Sequence, residues 1–260
     1  MAALLVVPGA MAIGLSLGLL GSGGSILTVP VLLYLVGQDE KVAIAGSLLI
    51  VGLIALVGCV SYVQQRLVHW RSVVLFGIPG MAGTYLGAWS SSFVSGTFQL
   101  VVFAAVMLAA AYFMLRPMEL SETNQPRREA WRISADGLLV GALTGFVGVG
   151  GGFLIVPALV LLGGLSMHRA VATSLVIIAM KSAVGFVKYQ DVLAAEQLQL
   201  DGSVIGLVAA LGIVGSLLGS YTAQHIPKEQ LQKAFAGILV VIGVLMIGIN
   251  APELLSTSGS

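Results

Sequence analysis

The sequence predicts an all-α polytopic membrane protein, and three observations carry that prediction. Of its 260 residues, 58% are hydrophobic and only 9% charged, with a mean hydropathy of +1.04. A soluble domain of this size needs far more charge to cover its surface. The apolar residues fall into long runs separated by short polar ones. The chain is also duplicated. From Gly14/Gly141 to Tyr62/Tyr189 an offset of 127 residues holds without a gap, with twenty identities in forty-nine pairs.

The elements follow in order. Residues 1–36 are apolar but interrupted at Gly21, Ser22, Gly23, Gly24 and Ser25, leaving pieces of about twenty and about twelve residues. Only the first reaches the roughly 20 residues a helix needs to cross a bilayer. Met1–Leu20 has no basic region ahead of it and runs straight into the duplicated stretch, so it is expected to stay rather than be cleaved as a signal peptide. Gln38–Lys41 reads as a polar loop, Val42–Val63 as a span, and Gln64–Arg71 as a basic loop. Ser72–Val94 and Phe98–Leu115 are further spans.

Residues 116–134, rich in Glu, Arg, Gln and Pro, read as a linker between a first repeat (1–115) and a second (135–250), with a polar tail at 251–260. The second repeat has a broken segment at 135–165 and spans near 170–189, 203–224 and 234–250. It carries about five extra residues within Gln190–Leu200, after which Gly83-x-x-x-Gly87 aligns with Gly215-x-x-x-Gly219. Such pairs of small residues let helices approach closely.

The glycine breaks fix the topology. If each broken segment crosses once, seven basic residues lie on one side and four on the other. If each enters and returns as a hairpin, Arg66, Arg71, Arg116, Arg127, Arg128, Arg132, Arg169, Lys228 and Lys233 share one side, leaving Lys41 and Lys188 opposite. The positive-inside rule favours the hairpins, which makes the halves inverted repeats and puts both termini in the periplasm.

Glycines can simply serve helix packing, but here they cluster, in the second copy at Gly148, Gly150, Gly151 and Gly152, instead of recurring every fourth residue. A broken helix leaves backbone N–H groups that lipid cannot satisfy, and a helix start suits an anion. Paired breaks in inverted halves point to a transport site. Pro30 and Pro157, which close the two motifs, shape backbone.

Lys181 is the charged residue deepest in a predicted span, where its first-half counterpart is Ile54. A cation at that depth faces a cavity or a ligand, or else snorkels to an interface. Ser174, two turns earlier on the same face, matches Ser47. No carboxylate lies at comparable depth, so the interior favours anions. The single cysteine, Cys59, excludes an intramolecular disulfide, and the three histidines show no metal-ligand spacing. No cofactor is implied, nor is nucleic-acid binding.

The duplicated Gly-x-Gly-Gly-[Ser/Gly]-x-Leu-x-Val-Pro motifs are followed by Ala43–Leu48 and Ala170–Leu175. On these stretches, and over essentially the whole chain, the sequence resembles the TauE/SafE family of bacterial inner-membrane permeases. The resemblance implies export of sulfite or organosulfonates. One departure is Ser22 against Val149, which makes any polar contact there asymmetric.

The expected function is that of a secondary transporter, not an enzyme. It would move a small anion, sulfite or an organosulfonate, across the bacterial inner (plasma) membrane by alternating access. The substrate site would be drawn from both glycine clusters with Ser47, Ser174 and Lys181. A passive anion channel is the alternative. Partners are then the small anionic substrate and the lipid bilayer, with a homo-oligomer left open.

Overall fold

The structure, a computed structural model, describes residues 2–21, 24–115, 129–148, 152–162, 164–222, 233, 236–237 and 239–249. Among these residues it is all helical. Helix α1 (Ala2–Leu20) is followed by α2 (Gly24–Val36), α3 (Glu40–Gln64), α4 (Trp70–Phe93) and α5 (Gly96–Leu115). The second half has α6 (Ala130–Val147), α7 (Gly152–Pro157, continuing over Ala158–Leu162), α8 (Met167–Ala195), α9 (Gly202–Thr222) and α10 (Leu239–Ile249). Four of them, α3, α4, α8 and α9, are long and apolar enough to span a membrane. α6 starts at Ala130, inside the stretch read as linker.

The duplication is written into the backbone. The described glycines with positive φ are Gly21, Gly37, Gly148 and Gly164, which form two pairs at the offset of 127. The two described non-glycine residues with positive φ, Arg66 and Gln197, end α3 and α8 at an offset of 131. His69 and Asp201, each accepting backbone N–H groups at the start of the next helix, stand 132 apart. Of the five extra residues in the second copy, four therefore lengthen α8 by about one turn and one enters the loop.

Prolines shape the helices as local chemistry requires. Pro30 and Pro157 lie inside α2 and α7, and each is followed by a wider π-helical stretch, Val31–Val36 and Ala158–Leu162. A proline has no N–H to give the carbonyl four residues earlier, so the helix lacks one bond there. Pro79 in α4 follows a similar stretch, Val73–Gly77, and leaves the carbonyl of Leu75 without its usual donor; Ser134 Oγ of α6 donates to it at 3.0 Å.

The halves are entwined. Gly14 and Gly18 of α1 lie against the backbone of Gly212 and Ser216 in α9. Gly141 and Gly145 of α6 lie in the same way against Gly80 and Thr84 in α4. Both pairs run parallel, with glycine on glycine. The Gly83/Gly87 and Gly215/Gly219 motifs complete them: a Cβ on Gly83 would overlap Leu138 O, and one on Gly215 would reach Met11 O at 2.6 Å. Close backbone approach of this kind lets helices associate in lipid through van der Waals contact.

The central pair, α3 and α8, runs antiparallel, with Leu48 beside Gly185, Gly52 beside Ser182 and Gly58 beside Leu175. The chain also doubles back at the first break. Gly24 of α2 packs on Ile13 and Leu17 of α1, while Gly9 of α1 meets Val31 and Leu35, so α1 and α2 form a hairpin. Two faces result. Arg66, Arg71 and Arg169 mark a basic face, where the His69 N–H donates to Thr173 Oγ1 at 3.0 Å. Asp39, Glu40 and Glu196 mark an acidic face, where the start of α3 meets the end of α4.

Candidate functional site

Gly21 and Gly148 end α1 and α6 in the left-handed conformation, at φ 67° and 72°. Each break is gripped by the opposite half. Ser47 Oγ lies 2.6 Å from the carbonyl of Gly148 and 2.8 Å from its own Ile44 carbonyl. Ser174 Oγ lies 3.2 Å from the Gly21 carbonyl and 2.8 Å from Val171 O. One hydroxyl proton is shared between two carbonyls in each case. Ile44 and Val171, themselves a duplicated pair, fill the space beside Gly148 and Gly21 where a side chain would otherwise point.

The breaks are thus capped symmetrically, but they are not at one depth. In the α3–α8 register, Ser47 stands level with about Phe186, twelve residues from Ser174. At 1.5 Å per residue the two latches are about 18 Å apart along the helix pair. Gly21 with Ser174 and Gly148 with Ser47 thus stand on either side of the middle of the α3–α8 pair. Of the other break residues, Ser25 is buried at the start of α2 and Gly152 opens α7; Ser22, Gly23, Gly150 and Gly151 lie outside the described residues. Gly24 serves close helix packing, since a Cβ there would overlap Ile13 O and come within 2.7 Å of Leu17 Cβ.

Lys181 lies between the two latches. Its side chain runs beside Gly80 of α4, whose Cβ position would be 3.3 Å from Lys181 Cδ and 3.3 Å from the carbonyl of Gly137 in α6. Its first-half counterpart Ile54 lies against Gly212 in the same way, so the duplication puts a methyl group in one half where the other has an ammonium. Lys181 is 1% exposed, which overturns the snorkelling alternative. Neither its Nζ nor the neighbouring Ser182 Oγ has a hydrogen-bond partner, and both atoms are buried. Ser182 was not expected from the sequence, where a serine beside the lysine carries no pattern of its own.

A second polar cluster also lay outside sequence expectation. Lys41, placed in a loop by its polar neighbours, sits in the first turn of α3 and is 5% exposed. Its Nζ donates to Ser91 O at 2.7 Å, Val94 O at 3.0 Å and Gln99 Oε1 at 2.5 Å. Gln99 Nε2 donates to Tyr189 Oη at 2.8 Å and to the Phe146 carbonyl, which Tyr189 Oη also reaches at 3.0 Å. The signal was a lone amide at the head of an otherwise apolar span. Among the described residues no group of three or more His, Cys, Asp or Glu is placed to hold a metal ion.

Apolar spans, helices packed backbone to backbone through glycine, and paired interior breaks define a multi-pass membrane transporter. Residues 6–246 match the family described as "Sulfite exporter TauE/SafE", and the chain belongs to that family. A protein of Xylella fastidiosa named "Probable membrane transporter protein" is 31% identical over 242 residues, covering 90% of this chain and 91% of its own. A Bacillus subtilis "Probable membrane transporter protein YunE" is 28% identical, covering 94% of each chain. An archaeal relative from Methanocaldococcus jannaschii, named "Probable membrane transporter protein MJ0441", is 25% identical, covering 94% of this chain and 96% of its own. No solved structure matches the chain. Family membership makes this a transport protein and not an enzyme.

Proposed function

We propose that the protein is a secondary transporter for a small anion, sulfite or an organosulfonate, working by alternating access in the bacterial inner membrane. The observation that carries this reading is Lys181: a buried cation without a partner, at a depth between two helix breaks. An ammonium in a low-dielectric interior needs a counter-charge, and an oxyanion supplies both the charge and acceptors for the Lys181 donors. The family's description as sulfite exporters supports sulfur oxyanions as that ligand.

The two halves act as inverted repeats, each broken segment entering and returning as a hairpin. The antiparallel α3–α8 pair and the α1–α2 hairpin support this, with the basic face cytoplasmic and both termini periplasmic. Because the breaks stand at different depths, we assign Gly21–Ser25 with Ser174 to the approach from the basic face, and Gly148–Gly152 with Ser47 to the approach from the acidic face. Lys181 is the shared contact.

A thermal-shift screen of the purified protein against sulfite, sulfate, thiosulfate and short alkanesulfonates tests the reading. A ligand at a hundred times its Kd stabilises by about 2.7 kcal/mol. At least one of these anions should raise the unfolding temperature of the native protein and not that of Lys181→Met. Equal shifts in both proteins, or none with any anion, would remove Lys181 from a binding role.

A further inference from the structure

We infer that Lys41, Gln99 and Tyr189 form the gate on the acidic face, closed in this structure, and that Glu196 and Glu40 offer Lys41 its open position. The inference rests on the transporter class and not on which ligand Lys181 takes.

An open cleft of about 520 Å³ enters from the acidic face, lined by Gln38, Asp39, Glu40, Gly96 and Glu196, and Lys41 belongs to its lining. From there inward the chain of hydrogen bonds is continuous: Lys41 to Gln99, Gln99 to Tyr189, and both Gln99 and Tyr189 to the carbonyl of Phe146. Phe146 lies two residues before Gly148, the second break, which Ser47 grips from the other side. The polar line thus leads from the cleft to the break, and its side chains fill the way. Gln99 and Tyr189 are fully buried.

The groups come from α3, α4, α5, α6 and α8, so closing the line ties five helices together. Each donor is used: three on the Lys41 ammonium, two on the Gln99 amide, one on the Tyr189 hydroxyl. A fully satisfied polar network holds one arrangement, and losing one member strands the others. All acceptors of the Lys41 ammonium are neutral, while carboxylates stand in the adjoining cleft. Glu196, and Glu40 whose Oε1 accepts from Thr97 Oγ1 at 2.9 Å, line the cleft with Lys41 and offer the ammonium a second set of partners, and taking them frees Gln99. The corresponding positions on the basic face differ. His168, the counterpart of Lys41, is exposed, and Tyr62, the counterpart of Tyr189, is only half-buried. The counterparts of Ser91 and Gln99 lie outside the described residues.

The test measures access from the acidic face. In a Cys59→Ser background, Ala45→Cys places a thiol one turn below Lys41 on the same face of α3, at a fully buried position. Its counterpart in the other half, Ala172→Cys, is equally buried and serves as control. A membrane-impermeant methanethiosulfonate, applied from the acidic face to reconstituted protein, should label Ala45→Cys slowly. Tyr189→Phe or Lys41→Met should speed that labelling by about tenfold or more, the worth of one charged or buried hydrogen bond, and leave Ala172→Cys unchanged. Glu196→Gln should slow it further. Unchanged labelling at Ala45→Cys in both gate variants would overturn the inference. So would an equal rise at Ala172→Cys, because the cluster would then be a general brace. A gate that responds as expected while no anion binds would leave this inference standing and remove the anion site.

Discussion

Replacing Gly148 by alanine tests how the second break is built. Gly148 ends α6 at φ 72°, ψ 25°, and a residue with a Cβ pays about 1–2 kcal/mol in that region. The added methyl would also overlap Ile44 Cγ2 and lie 3.1 Å from Ile44 Cβ, which overpacks the contact by about 1–3 kcal/mol. The sum is a destabilisation of about 2–5 kcal/mol. It is measured as the shift in unfolding midpoint when SDS is titrated into detergent-solubilised protein. A cycle with Ile44→Ala separates the two parts. The double variant should recover the packing part, giving a coupling of about 1–3 kcal/mol, while the backbone part persists. A Gly148→Ala protein within about 0.5 kcal/mol of the parent, the range of ordinary surface changes, would refute the reasoning. So would a coupling of zero.

Other outcomes follow from individual contacts. Ser134→Ala should cost about 1–3 kcal/mol by stranding the Leu75 carbonyl that Pro79 cannot serve, and Pro79→Ala in the same protein should restore most of it; the same SDS titration measures both. Burial, with Arg169 and Arg71 alongside, holds the His69 imidazole pKa below its ordinary 6.5. The folded state therefore prefers the neutral ring, and its stability contribution is complete above pH 6.5 and lost as the pH falls below that value. Unfolding midpoints between neutral and mildly acidic pH should decline more steeply in the parent than in His69→Asn, which keeps a side chain able to cap α4. Reporter fusions should place both termini in the periplasm and residues 116–129 in the cytoplasm; a cytoplasmic C-terminus would contradict the hairpin topology.

Much of this architecture is legible in local pattern. The 127-residue offset is visible in Gly21/Gly148 and Gly37/Gly164 because positive-φ positions accept few residues besides glycine. The Gly83/Gly87 and Gly215/Gly219 spacings announce close packing, though not the partner: each half's fourth helix packs on the other half's first, and nothing in a local window records that exchange. The same holds for Ser47 and Ser174. Their alignment marks them, but their bonds to Gly148 and Gly21 span 101 and 153 residues. Lys181 is conspicuous as a charge in an apolar run, and the structure adds its lack of partners. Lys41 misleads because polar neighbours on one side disguise a residue that faces inward once α3 begins at Glu40. Its burial depends on Gln99 and on the carbonyl ends of α4, which are brought to it only by the tertiary fold.

Flux through proteoliposomes tests the central proposal most directly. With radiolabelled sulfite outside and unlabelled sulfite trapped inside, the native protein should show saturable uptake that the trapped ligand accelerates, as exchange through an alternating site requires. Lys181→Met, incorporated to the same level, loses a charged hydrogen bond worth about 1.5–3 kcal/mol, so its half-saturating concentration should rise roughly ten- to a hundredfold. Lys181→Arg should recover part of the loss, since its broader head meets a different geometry. The proposal is contradicted if the native protein and Lys181→Met carry sulfite with the same half-saturation, or if flux rises in proportion to concentration without exchange.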